Sequence, residues 1–378
     1  MIRNVIAAAL ILLPTPAMSQ TPTTPPSTER AIVPARTDGN PVPAEVMQRI
    51  YDEAKTPFKH GVIVRGEEGQ MIDCPSVFRH GGKWYMVYVG ITNKVGYESF
   101  LARSDDLLHW EKLGKILAFG GKGDWDEWQA DLGLALQDPT WGGSADLQTH
   151  DGKYWGTYIG GALQGYETDP LSMGIAYTTM PTEPKLWMKF AGNPVLTPKQ
   201  SDARKFETLT LYKANTIRDE AKTLGYPFVM FYNAKYQNGH EQIGMAVSDD
   251  MTTWKRYGAG SIINNVVEKK GRASGVVGDP QIVRMDDGAG GKVWVMFYFG
   301  HGYKPKAFDT FAASYDLATW TDWDREHLVE PSEPWDENYA HKPWIIKHDG
   351  VVYHYYCAVG TEGRVIALAT SKDLRARR

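Results

Sequence analysis

The chain has 378 residues, 41 Lys and Arg against 45 Asp and Glu, a formal charge of −4 and 42% hydrophobic residues. Its basic residues are scattered rather than gathered, which excludes the basic face that nucleic-acid binding needs. Two cysteines, Cys74 and Cys357, are too few for a disulfide scaffold or a cysteine metal site, so two buried thiols are expected.

Residues 1–19 open with Met-Ile-Arg, continue through the apolar run VIAAALILLP and end in small residues at Ala17 and Ser19. That pattern predicts a secretory signal peptide rather than a membrane span, hence a periplasmic or secreted protein that keeps no membrane contact once the signal is removed. Residues 20–42 are rich in Pro and Thr and poor in apolar side chains, which predicts a disordered linker. Over residues 43–57, a proline in the first turn followed by Val46, Ile50 and Ala54 predicts a short amphipathic helix.

From residue 58 to 378 one supersecondary unit recurs. Its closing phrase reads ARSDDLLHW at 102–110, AVSDDMTTW at 246–254, AASYDLATW at 312–320 and ATSKDL at 369–374. Each unit offers three or four short runs rich in Val, Tyr, Phe, Trp and Ile, broken by Gly, Asp and Asn, the signature of antiparallel strands. Five copies are visible, headed by Asp73, Asp138, Lys213, Asp279 and His341. A small sheet cannot bury both faces alone, so the copies must stack around an axis. The predicted fold is all-β, a five-bladed β-propeller with a short N-terminal helix. The last copy lacks a fourth strand, and the unassigned run FKHGVIVR at 58–65 is expected to supply it, joining the chain ends and covering sheet edges.

In such a ring the inner strand of each blade faces a central channel, so the five heads converge on one polar site. Carboxylates gathered there lose hydration and repel one another, which spreads their proton affinities and supplies an acid and a base at one pH, as glycosidic cleavage requires. The plainer alternative is that each Asp-Pro merely structures a turn. Aromatics reach 12%, with 13 Trp and 20 Tyr; Trp141 in QDPTW and Trp344 in HKPWII are candidates to stack on sugar faces, beside Lys213.

The heads DCPSVF, QDPTW and GDPQIV, with SDDLLHW-type blade ends, resemble the five-bladed glycoside hydrolases of families 43, 32, 117 and 130 over residues 58–374. The scheme of families 43 and 32 implies Asp73 as base or nucleophile, Asp138 as the carboxylate that positions and tunes, and a glutamate on the third blade as acid. Lys213 stands where those families place that glutamate, so the acid falls to Asp279 or to Glu207, six residues earlier. Glu207 also lies in a loop paralleled by WDE at 125–127 and 335–337, which leaves a loop-structuring role open for it. The segment NYAHKPWII at 338–346 resembles the last-blade motif of families 117 and 130. That likeness implies substrate contacts from Tyr339, His341 and Lys342, or a share for His341 in holding a central cation. No cofactor is required, although family 43 admits a central divalent ion such as calcium.

The leading expectation is therefore an exported glycoside hydrolase acting on plant or algal oligo- or polysaccharide fragments, exo-acting and inverting through paired carboxyls. Two alternatives stand beside it: a non-catalytic carbohydrate-binding propeller, and a phosphorylase; Lys213, Lys342 and Arg272 could gather around an anion, either a uronate on the substrate or inorganic phosphate. The oligomeric state is not legible in the sequence.

Overall fold

A computed structural model describes residues 30–236, 239–264, 275–301 and 306–375; the signal peptide expected at 1–19, the first part of the linker and Arg272 lie outside the described residues. Among the described residues, helix α1 (Ala44–Ala54) precedes twenty strands. The first, β1 (Phe58–Val64), stands apart from those that follow it. The first sheet is β2 (Gln70–His80), β3 (Lys83–Thr92), β4 (Glu98–Ser104) and β5 (Glu111–Leu117). A second consists of β6 (Gln129–Leu134), β7 (Tyr154–Gly161), β8 (Ser172–Thr178) and β9 (Met188–Lys189). The third consists of β10 (Thr210–Arg218), β11 (Phe228–Lys235), β12 (Glu241–Ser248) and β13 (Lys255–Tyr257).

The remaining strands are β14 (Val276–Asp286), β15 (Lys292–His301), β16 (Ala307–Ser314), β17 (Thr321–Asp322), β18 (Tyr339–His348), β19 (Val351–Gly360) and β20 (Gly363–Thr370). They form one eight-stranded sheet that includes β1. Its two halves, β14 to β17 and β18 to β20 with β1, are joined in the strand ladder by a single parallel pairing of Ala307 with Tyr339. β1 pairs antiparallel with β20, Phe58 opposite Thr370, so the beginning of the repeat region completes the sheet built by its end.

Apolar wedges between successive sheets hold the ring. Phe78, Leu101, Leu132 and Tyr158 fill the space between the first and second, and Trp155, Ile175, Met230 and Tyr232 the next. Phe231, Met245, Met296 and Trp294 join the third sheet to β14–β17. Val295, Phe297, Ile345 and Val352 seal the two halves of the large sheet, with Val46, Met47 and Ile50 of α1 packed against them. Tyr88, Trp84, Trp344 and Tyr355 close the circle onto the first sheet. Inner strands touch in cyclic order, β6 to β10, β10 to β14, β14 to β18 and β18 to β2, while β6 also contacts β3 and β4.

The repeated phrase has a physical cause. Ser104 Oγ accepts the N–H groups of Asp106 and Leu107, and Asp106 Oδ1 accepts those of Leu108 and His109. The Ser248–Asp250 and Ser314–Asp316 pairs each repeat these contacts, save that no second amide on Ser314 completes the set there. Serine and aspartate thus satisfy a tight turn that carries the chain from third to fourth strand. The residue between turn and strand is buried at positive φ: Leu107 at 68°, Met251 at 67° and Leu317 at 64°.

The N-terminal region departs from expectation. Residues 30–42, read as a disordered linker, run from the third sheet to β17: Val33 pairs with Tyr257, Arg36 N–H donates to the Tyr257 hydroxyl, and the buried Val42 donates its N–H to the Thr321 hydroxyl. Backbone partners on a sheet edge order a stretch whose own composition could not. Cys74 and Cys357 are free and buried, as their number suggested.

Candidate active site

Four of the five inner strands carry a one-residue bulge at the same point. Register slips between Asp73 and Ser76 in β2, Leu211 and Ala214 in β10, Gly278 and Gln281 in β14, and His341 and Trp344 in β18. Cys74, Asp279 and Lys342 adopt positive φ there, and Pro75, Pro280 and Pro343 follow them, where no ladder N–H is needed. The bulge re-aims side chains toward the hub. It also corrects the alignment of heads: Cys74, Asp279 and Lys342 are equivalent, one residue after Asp73, Gly278 and His341.

The hub holds a pocket of about 220 Å³ lined by Asp131, Glu167, Lys213, Glu241, Asp279 and Lys342 among others. On its floor, Asp73 accepts the Cys74 N–H at 2.8 Å, the Lys342 ammonium at 2.9 Å and the Arg364 guanidinium at 2.7 Å. Burial disfavours this anion, but the two cations hold its carboxyl well below the usual carboxylate range. With those contacts engaged, Asp73 organises the floor. Lys213 is likewise committed, donating to Asp131 at 2.6 Å and to the Leu132 carbonyl at 2.9 Å.

Two carboxyls differ from Asp73. Asp279 is raised to about 6 by burial, with Lys342 and Lys213 opposing, and the Cys74 thiol donates to its Oδ2 at 3.4 Å. Glu241, partly exposed in the pocket wall at the head of β12, is raised to about 8 by loss of water and by the charge of Glu167. Asn233 Nδ2 donates to Glu241 Oε2 at 2.9 Å. Glu167 lies 3.4 Å from the Lys342 ammonium. It comes from the β7–β8 connection, which Gln129 pins through its donations to the Leu163 and Gly165 carbonyls. Tyr97, Tyr166, Tyr212, Phe299 and Tyr339 line the rest of the wall.

Of the sequence candidates, Asp73, Lys213, Asp279, Tyr339, His341 and Lys342 line or floor this pocket. Four others are elsewhere. Asp138 lies beyond the end of β6 in a turn, where it accepts Thr140 N–H, Ser144 N–H and the Ser144 hydroxyl; the inner strand is QADLGL, and Asp131 holds the axial place. Glu207 is fully buried among Arg204, Arg256 and the Tyr232 hydroxyl. It braces a loop as Asp126 and Asp336 do with Tyr158 and Tyr356. Trp141 packs on Phe297 and donates to Glu53 of α1, away from the pocket. Trp344 is core, its indole N–H on the Val77 carbonyl.

His341 was also a candidate cation ligand. Its Nδ1 faces the Cys357 carbonyl at 3.0 Å and therefore carries the proton, while Nε2 faces the Arg364 guanidinium at 3.4 Å. Burial, Arg364 and Lys342 push its pKa down to about 3. Among the described residues no group of three or more His, Cys, Asp or Glu is arranged to hold a metal ion. Lys213, Lys342 and Arg364 already supply the positive charge that a central cation would bring, so these residues do not fit one.

Glu167, Glu241, Asp131, Asn233 and Arg364 were not singled out from the sequence. Glu241 and Arg364 stand at or beside the first residue of a third strand, Glu167 in a connection without a repeat counterpart. A charged residue just after the turn into the third strand is the signal that was available.

A ring of sheets that gathers carboxyl, cationic and aromatic side chains in one pocket at its hub matches a propeller glycoside hydrolase. The sequence is 45% identical to BT0996, solved as an RGII complex, over 88% of this protein and 96% of that one, with a TM-score of 0.81. It is 44% identical to a solved glycoside hydrolase over 88% and 96% of the two proteins, with a TM-score of 0.80. A thermostable family-43 glycoside hydrolase shares the fold at 14% identity and a TM-score of 0.57, over 82% and 91% of the two lengths. No protein-family model and no curated protein matches. This protein belongs to the propeller-fold glycoside hydrolases, enzymes that hydrolyse glycosidic bonds.

Proposed function

We propose that this protein is an exo-acting, inverting hydrolase that removes a terminal sugar from a plant oligosaccharide, with RGII the first substrate to try. The observation that carries the mechanism is the pairing of Glu241, held protonated by loss of water and by Glu167, with a Glu167 carboxylate beside Lys342. Glu241 is the general acid that protonates the leaving oxygen. Glu167 is the base that takes a proton from water. The two carboxyls belong to neighbouring sheets, and water held between them attacks the anomeric carbon opposite the leaving group. Asp279, deeper and touched by the Cys74 thiol, offers a hydrogen bond to a sugar hydroxyl.

Several features support the finer points. A pocket near 220 Å³ falls below the ~300–1,000 Å³ of common ligand sites and suits the end of a saccharide rather than its middle. Each pocket cation is ion-paired, Lys213 to Asp131, Lys342 and Arg364 to Asp73, which favours water over phosphate as acceptor and an uncharged terminal sugar. The same pairs support activity without a metal. We read the eight-stranded sheet as two units joined by one bridge, which makes five blades with the other three sheets. The apolar run VIAAALILLP, read as part of a signal peptide, supports export to the periplasm or medium.

The test is incubation with RGII and a panel of aryl glycosides, with and without EDTA and phosphate, with product anomers followed by NMR. Release of one sugar with inverted configuration, indifferent to EDTA and phosphate, is expected. Internal cleavage, retention or phosphate dependence would each overturn the corresponding part.

A further inference from the structure

Asn233 on β11 is buried, 2% exposed, and contacts both raised carboxyl residues of the pocket. Its Oδ1 accepts the backbone N–H of Asp279 at 3.3 Å, and its Nδ2 donates to Glu241 Oε2 at 2.9 Å. A backbone N–H can only donate, so the oxygen of the amide must face Asp279 and the nitrogen must face Glu241. Close approach fixes the amide further: a Cβ at Gly278 would lie 2.5 Å from Asn233 Nδ2 and 2.8 Å from its Cγ. Glycine at 278 is what lets the β14 bulge sit against this side chain.

We propose that Asn233 is a positioning residue that aims the acid proton of Glu241 into the pocket. The inference rests on the reading of Glu241 as general acid. Because Oε2 receives the amide N–H, it serves as the acceptor oxygen of the neutral carboxyl, and the proton is carried by Oε1. Without the amide, either oxygen can hold the proton and the side chain loses its fixed rotation. The charged or titratable groups that act on Glu241 are Glu167 from the β7–β8 connection, Lys235 on β11, Asp279 on β14 and Tyr212 on β10. Glu167 and Asp279 favour its neutral form, Lys235 and the Asn233 amide its anion. Removing the amide therefore raises the proton affinity while removing the aim.

The experiment compares Asn233→Ala and the isosteric Asn233→Asp with Glu241→Gln and the parent enzyme. Infrared titration of the protonated carboxyl band, assigned to Glu241 by its loss in Glu241→Gln, needs no substrate. In Asn233→Ala it should move upward by about one pH unit. The kinetic probes are the phenyl and 2,4-dinitrophenyl glycosides of the sugar that the parent enzyme releases. With either Asn233 variant, kcat/KM for the phenyl glycoside should fall about 100-fold, and for the dinitrophenyl glycoside, whose leaving group needs no acid, less than about threefold. Equal losses on both probes, or an unmoved titration, would overturn the positioning role. If Glu241→Gln cleaves both probes at the parent rate, the acid assignment falls and the positioning role with it. If Glu241→Gln discriminates between the probes and the Asn233 variants do not, only the positioning role falls.

Discussion

Glu241 and Asp138 mark the two ends of what residue identity alone can say. Asp138 sits in an Asp-Pro dipeptide at a plausible repeat position, yet its oxygens are committed to a turn; Asp138→Asn should leave kcat/KM within about twofold while keeping the turn contacts that an amide can accept. Glu241 has no motif around it, because its proton affinity comes from Glu167 and the pocket wall, groups remote in sequence. Glu241→Gln should lower turnover of poor leaving groups by about 10²–10⁴, with the alkaline limb of the parent pH profile near pH 8. Stability follows the same group. Between its ordinary value of 4.5 and its folded value of about 8, native Glu241 binds a proton that the unfolded chain has released, so stability falls as pH rises through that window. Glu241→Gln should flatten the dependence of urea unfolding on pH between those limits.

The strand ends show what repetition encodes. Ser-x-Asp phrases were visible because the same turn needs the same acceptors in each copy, and Asp250→Ala should cost about 0.5–2 kcal/mol in denaturant unfolding with catalysis retained. The bulges were half legible: three prolines announced them, but the third unit has Lys213 in the proline's place and the second has no bulge, so counting from Asp-Pro misplaced the second head by seven residues, Asp138 for Asp131. Loop carboxylates were also ambiguous from spacing alone, since Glu207, Asp126 and Asp336 look acidic and exposed until their tyrosine and cation partners are seen. Glu207→Leu should destabilise the protein by about 3–5 kcal/mol, because Arg204 and Arg256 would remain buried around an apolar side chain.

At the scale of the molecule, alternation of apolar residues and turn signals predicted a ring of sheets, and the unassigned run before the first copy pointed to a strand shared between the chain ends. β1 does pair with β20, and it covers an edge that would otherwise be open. A variant lacking residues 58–64 should self-associate on size-exclusion chromatography and melt with lower cooperativity, while the full-length protein elutes as one species. Pocket chemistry was less legible, since it arises where side chains from different sheets meet, as Lys342 of β18 meets Asp73 of β2 and Glu167 of the β7–β8 connection.

The most direct measurement is product analysis of RGII after incubation with the parent enzyme and with Glu241→Gln, by anion-exchange chromatography and mass spectrometry. Release of a single terminal sugar by the parent, reduced at least about 100-fold in the variant, is the predicted result. Equal release by both proteins would contradict an acid–base pair formed by Glu241 and Glu167 at the hub of the ring.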